Sequence, residues 1–234
     1  MTNLFVVRVA GVSALLAVAA QFAAFGIAFA NGIQPGAPLD FSDGAQLLAA
    51  RNVTAGVVGL VFATISPSLG LPLALGLYVV LKDARGYALF GATMYYVGQT
   101  LALVHEALRI VLYWRMPLLY QQATEAARPA VLALGDLVVH LQDLIATISI
   151  VIAFGTGLSV LGLGILRTGA LPRVLGWVLL VQSVLVGLIA FPAQYFRVPG
   201  ASVAVLAGMM VFFLWLIATG VALLRWRPPA GVNP

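Results

Sequence analysis

The chain has 234 residues, 62% of them hydrophobic and 8% charged, with a formal net charge of +5 and no cysteine. A soluble domain is about 25% charged, so this composition, with a mean hydropathy of +1.08, belongs to a multispan membrane protein. The twelve Lys and Arg residues stand singly between apolar runs, which excludes nucleic acid as a partner, and the missing cysteines exclude disulfides, thiolate zinc sites and cysteine-ligated clusters.

A helix that crosses the hydrocarbon core needs about 20 apolar residues. Six stretches qualify, near 4–30, 56–81, 87–114, 143–166, 174–193 and 201–224. They predict an all-α integral membrane protein of six transmembrane helices, one domain over 1–234, with the lipid bilayer as its surroundings. In the first stretch, Ala28-Phe29-Ala30 resembles a signal cleavage site. The apolar core before it is longer than a signal sequence needs, and Arg8 alone would form the basic region, so the stretch reads as a span. Residues 43–54 (DGAQLLAARNVT) read as an outer interfacial helix with Ser42 at its cap.

The second span holds Ser66-Pro67-Ser68 and Pro72 at mid-depth. Proline removes a backbone donor, so the ladder is expected to be interrupted there. That interruption is either an ordinary kink or a broken-helix site of the transporter kind. From Pro129, a good first helical residue, a helical pattern runs to Leu166. It exceeds one span, so its outer third must project from the membrane or be sheltered by other helices. Farther down, Gly155, Ser159 and Gly162 form a small-residue seam suited to close packing.

Orientation follows the Lys and Arg residues near the span ends. With the N-terminus inside, the inner side carries Arg8, Lys82, Arg85, Arg167, Arg173, Arg225 and Arg227, whereas the outer side carries Arg51, Arg115, Arg128 and Arg197. Both termini are therefore expected in the cytoplasm, and the protein in the cytoplasmic (inner) membrane.

Spans three and four each carry a polar stripe. At 100° per residue, Tyr95, Gln99, Glu106, Arg109 and Tyr113 share one face of span three, with His105 to one side. On span four, Asp136, His140, Asp143 and Thr147 share another. At 1.5 Å per residue the stripes come to similar depths in the outer leaflet. Glu106, Asp136 and Asp143 supply three negative charges against Arg109, and an uncompensated carboxylate in hydrocarbon costs several kcal/mol. Three remedies exist: protonation, a bound cation, or exposure of a protruding helix end to water.

These residues support several readings. Glu106, Asp136, His140 and Asp143 could ligate a cation or share a proton, with Arg109, Tyr95 and Gln99 completing the pocket, for transport or sensing. His140 and Asp143 have the i, i+3 spacing of helical metal bundles. His105 and His140 could hold a haem as axial ligands. Alternatively, the same residues merely tie two helices together in a non-catalytic assembly or accessory subunit with a membrane-protein partner. No Walker loop, Rossmann glycine pattern or serine elbow is present, and no lysine lies deep in a span, so neither a catalytic group nor a definite cofactor is legible.

The order of features resembles a known family. LGLYVVLKDARGYALFG at 75–91, VVHLQDLIATISIVIAFGTGLSVLGLGIL at 138–166 and RTGALPRVLGWVLLVQSVLVGL at 167–188 are its carriers, above all LPRVLGW at 171–177. They are similar to the domain-of-unknown-function family 4386 of bacterial and archaeal six-span membrane proteins. The resemblance implies a fold and a membrane location, and no activity. In one respect the chain departs from it. The family usually places an aromatic-Arg pair shortly before its third-span glutamate, where this chain has Tyr95-Tyr96 and Gln99, and Arg109 follows Glu106.

Overall fold

The structure, a computed structural model, describes residues 2–30 and 53–228. The described residues are helical and contain no strand. The expected interfacial helix at 43–54 lies outside them, except that Val53 and Thr54 open the next helix.

Six rods follow one another: α1 (Thr2–Ala30), α2 (Val53–Val80), α3 (Arg85–Gln122), α4 (Arg128–Thr168), α5 (Arg173–Tyr195) and α6 (Ala201–Arg225). Five contain segments long and apolar enough to cross a membrane. The remaining one, α3, is diluted by its polar stripe but packs between α2 and α4 as a member of the bundle. Large apolar side chains point outward all round, including Phe5 of α1, Leu75 of α2, Leu185 of α5 and Leu214 of α6. On a soluble protein such patches would be a liability; here they are the lipid-facing surface. The chain is thus a multi-pass membrane protein.

The start of α1 and the end of α6 lie on one side, because a Cβ on Gly11 of α1 would come 2.8 Å from the carbonyl oxygen of Gly220 in α6. The turn at Lys82–Ala84 and the one at Gly169–Pro172 stand on that side too, where Arg167 donates to the Tyr87 hydroxyl at 3.3 Å. Gly169 takes a left-handed φ of 63° that stops α4, and its N–H caps the Ile165 carbonyl. The core between the rods is aromatic at its centre. Phe154 stands edge-on to Tyr95 and Phe212, and Phe212 stacks on Trp215 with ring centroids 5.7 Å apart. Trp215 donates its indole N–H to the Leu175 carbonyl at 2.9 Å, so a buried polar atom is satisfied across helices.

In two respects the expectations need correction. The broken-helix reading of α2 is not met: the helix runs through Pro67 and Pro72, and the Ser68 hydroxyl donates to the Thr64 carbonyl at 3.0 Å. The carbonyls that lose a backbone donor are those one turn before each proline, at Ala63 and Ser68, and the helix continues past both. Conversely, α4 and α5 each contain a two-turn π-helical stretch, Val151–Leu158 and Ser183–Ala190, where none was expected. These wide stretches press together at Gly155 and Gly187. The small-residue seam thus does bring a neighbour close, since Gly155 meets α5 at Gly187 and Gly162 meets it at Gly176.

Candidate functional site

Antiparallel pairing of α3 with α4 is set by small residues. Cβ atoms added at Gly91 and Gly98 would strike α4 at Gly157–Leu161 and Ser149–Ala153 respectively. The Ser149 hydroxyl, buried, donates to the Gly98 carbonyl at 2.8 Å. One step farther from the termini, His105 Nδ1 lies 3.2 Å from the Gln142 carbonyl oxygen. The acceptor there is a carbonyl, so Nδ1 must carry the hydrogen.

With Nδ1 committed, Nε2 faces the Glu106 carboxylate, 3.6 Å from Oε1. That carboxylate is also held by Arg109, whose Nη1 lies 3.1 Å from Oε2. Asp143 is exposed on the next face of α4, within electrostatic reach of His105, His140, Arg109 and Arg197. Arg197 follows the last turn of α5 and has a left-handed φ of 56°. The cluster therefore stands where α5 ends, at the rim of the bundle rather than in mid-bilayer. This location answers the charge problem: Glu106 and Asp143 face two guanidinium groups, and α3 and α4 continue beyond the level at which α5 ends.

The predicted tetrad is not assembled. Asp136 and His140 turn outward, with side chains 65% and 60% exposed, and His140 Nδ1 donates to the Asp136 carbonyl one turn back at 2.8 Å. Thr147 likewise bonds the Asp143 carbonyl on its own helix. Among the described residues no three His, Asp or Glu side chains converge as metal ligands. The haem reading fails for a geometric reason. His105 seats directly against the α4 backbone at Gln142, and His140, two residues or about 200° away, faces away from α3. No slot separates the two helices for a macrocycle.

The α3 stripe divides as well. Tyr95 and Gln99, both buried, turn to α2, where a Cβ on Gly70 would lie 3.0 Å from the Tyr95 hydroxyl and 3.2 Å from Gln99 Oε1. They belong to a different contact from His105 and Glu106. The side chain of Tyr113 is not among the described ones.

Two residues were not read as parts of the site. Gln142 is buried on the α4 face beside His105, with its Oε1 lacking a partner, and Arg197, just past α5, lies within electrostatic reach of Asp143. The signal for Gln142 was present: Gly135, Val139, Gln142 and Ser149 recur at helical spacing as a small and polar face. A cavity of about 890 Å³ lies elsewhere, as an apolar cleft between α5 and α6 lined by Trp177, Gln182, Ile189, Ala204 and Gly208. It opens on the lipid-facing side and touches none of the cluster.

A family model described as "Domain of unknown function (DUF4386)" matches residues 9–220, most of the chain. No curated protein and no solved structure matches it.

Proposed function

The chain belongs to the DUF4386 family, and we propose that in the cytoplasmic membrane, with its termini inside, it binds a proton at His105 on the outer side, as a sensor or as a transport step. One observation carries this reading. Nδ1 of His105 is locked as a donor by the Gln142 carbonyl, so Nε2 presents a lone pair to the Glu106 carboxylate 3.6 Å away. Two electron-rich groups facing one another are an unfilled proton site: protonation converts repulsion into a charge-assisted N–H···O contact. The groups facing His105 are Glu106 and Arg109 from α3 and Asp143 from α4. Glu106 shares its charge with Arg109, and Asp143 balances the added proton.

The chain has only two histidines, so proton NMR of the ring C–H resonances, assigned with His105→Gln and His140→Gln, reads each site separately. Burial disfavours the charged ring and Glu106 only partly offsets it, so the His105 resonance is expected to titrate at lower pH than an ordinary imidazole. The melting midpoint of the wild type is expected to change over the pH range in which that resonance moves, and that of His105→Gln to change less. A His105 resonance that stays fixed as the pH falls, or an equal melting response in both proteins, overturns the reading.

A further inference from the structure

The opposite face of α4 carries a pattern that the polar cluster does not use. Leu134, Leu137, Leu141, Leu144 and Ile148 recur at spacings of 3, 4, 3 and 4 residues, and all are between 40% and 65% exposed. This is the a/d spacing of a coiled-coil seam. Leu134, Leu141 and Ile148 take the a positions; Leu137 and Leu144 take d.

Two observations put the upper half of this seam in water. First, α4 has 41 residues, about 60 Å at 1.5 Å per residue, or twice the hydrocarbon core. Counting upward from Thr168 and allowing for the wider π turns, the far edge of the hydrocarbon falls near Thr147. Leu141, Leu137 and Leu134 then stand roughly 9, 15 and 20 Å beyond it, past the headgroups. Second, Arg197, just after the end of α5, lies within electrostatic reach of Asp143, so α5 stops at that level and α4 continues without it. Above that level the main described partner of α4 is α3, on the face of Val139. At that depth lipid would cover Ile148 and Leu144 and stop short of Leu137, the most exposed of the set at 65%.

We infer that this face pairs with the same face of a second copy of the chain, as a parallel helix pair about a two-fold axis along the membrane normal. Spacing of this kind fits the side chains of another helix and not a flat or extended partner. Two copies inserted in one membrane share their orientation, so a symmetric contact sets each leucine against its own twin, in register. Such a contact opposes like with like, and a charge on its flanks would repel. None is there. The e and g positions hold Ala133, Val138, His140, Ile145 and Thr147, and His140 at g meets the partner's e position, an isoleucine, rather than its twin. Asp136 and Asp143, the acidic residues of this stretch, fall at c, away from the seam.

Because the chain contains no cysteine, single substitutions report the contact without background. In native membranes under mild oxidation, Leu134→Cys, Leu137→Cys and Leu141→Cys are expected to yield a covalent dimer of twice the chain mass. Asp136→Cys and Asp143→Cys are expected to yield at least tenfold less. Leu137→Glu combined with Leu141→Glu is expected to shift the purified protein from dimer to monomer by native mass measurement, with its helical content unchanged, since both side chains are exposed. Equal cross-linking at 136 and 137, a cross-linked product whose mass betrays a different protein, or a dimer that survives the double glutamate variant would each overturn the inference.

Discussion

Gly157→Ala tests whether the bundle is held at its glycine crossings. The position lies in the π-helical stretch of α4, and a Cβ there would come 2.5 Å from the Tyr95 nitrogen, 2.9 Å from its Cα and 3.0 Å from the Gly91 carbonyl oxygen. All three are backbone atoms, so no rotamer change relieves the contact. Restoring an ordinary separation of 3.4–4 Å requires α3 to retreat by about 1 Å. That retreat also loosens the Gly98 crossing and the hydrogen bond from Ser149. Overpacking that displaces backbone costs about 1–3 kcal/mol, and this case belongs near the top of the range. Alanine recovers up to about 1 kcal/mol through helix propensity, which leaves a net loss of about 1–2 kcal/mol. For a chain of this size the expected fall in melting midpoint is about 2–8 °C. Gly26→Ala is the control, because nothing lies within 4 Å of its added Cβ and the substitution should keep the propensity gain. Both are read by thermal melting in the same detergent. A Gly157→Ala protein as stable as the wild type, or a Gly26→Ala protein equally destabilised, would refute the packing argument.

Ser149→Ala removes the buried donor to Gly98 and should cost about 0.6–1.7 kcal/mol by the same melting assay, the range found for interhelical hydrogen bonds in membranes. Trp215→Phe keeps the stack on Phe212 but removes the indole donor to the Leu175 carbonyl, which retains its bond within the helix, and should cost about 0.5–1.5 kcal/mol, visible as a lower melting midpoint. Asp136→Ala and His140→Ala, whose side chains are mostly exposed, should each stay within about 0.5 kcal/mol of the wild type, and added divalent cations should not shift their melting differently from its own.

The spans were legible because apolar length is a one-dimensional signal. Expected limits of 174–193 and 201–224 compare with α5 at Arg173–Tyr195 and α6 at Ala201–Arg225. The excess length of α4 was legible too, since no arrangement fits 38 residues from Pro129 to Leu166 into a 30 Å slab. The π-helical stretches were not. They depend on how closely Gly155 and Gly187 approach across two helices, and nothing local to either sequence records that distance. The family, by contrast, was readable from LPRVLGW and its neighbours because those short runs survive as letters rather than as geometry.

Angular bookkeeping on a single helix finds stripes, but it does not say which neighbour each part of a stripe meets. Tyr95 and Glu106 share a face of α3, yet Tyr95 is taken by α2 at Gly70, while His105, placed to one side of that stripe, is the residue that reaches α4. On α4 the acidic stripe drew attention because charge in an apolar chain is costly, and cost was taken to mean burial. Asp136 shows the gap in that step: a helix twice the membrane's thickness can carry charge at no cost simply by extending into water. Depth therefore has to be settled before charge is interpreted. Here the end of α5 settles it, and once it does, the polar groups above that level need no partner while the leucines above it do.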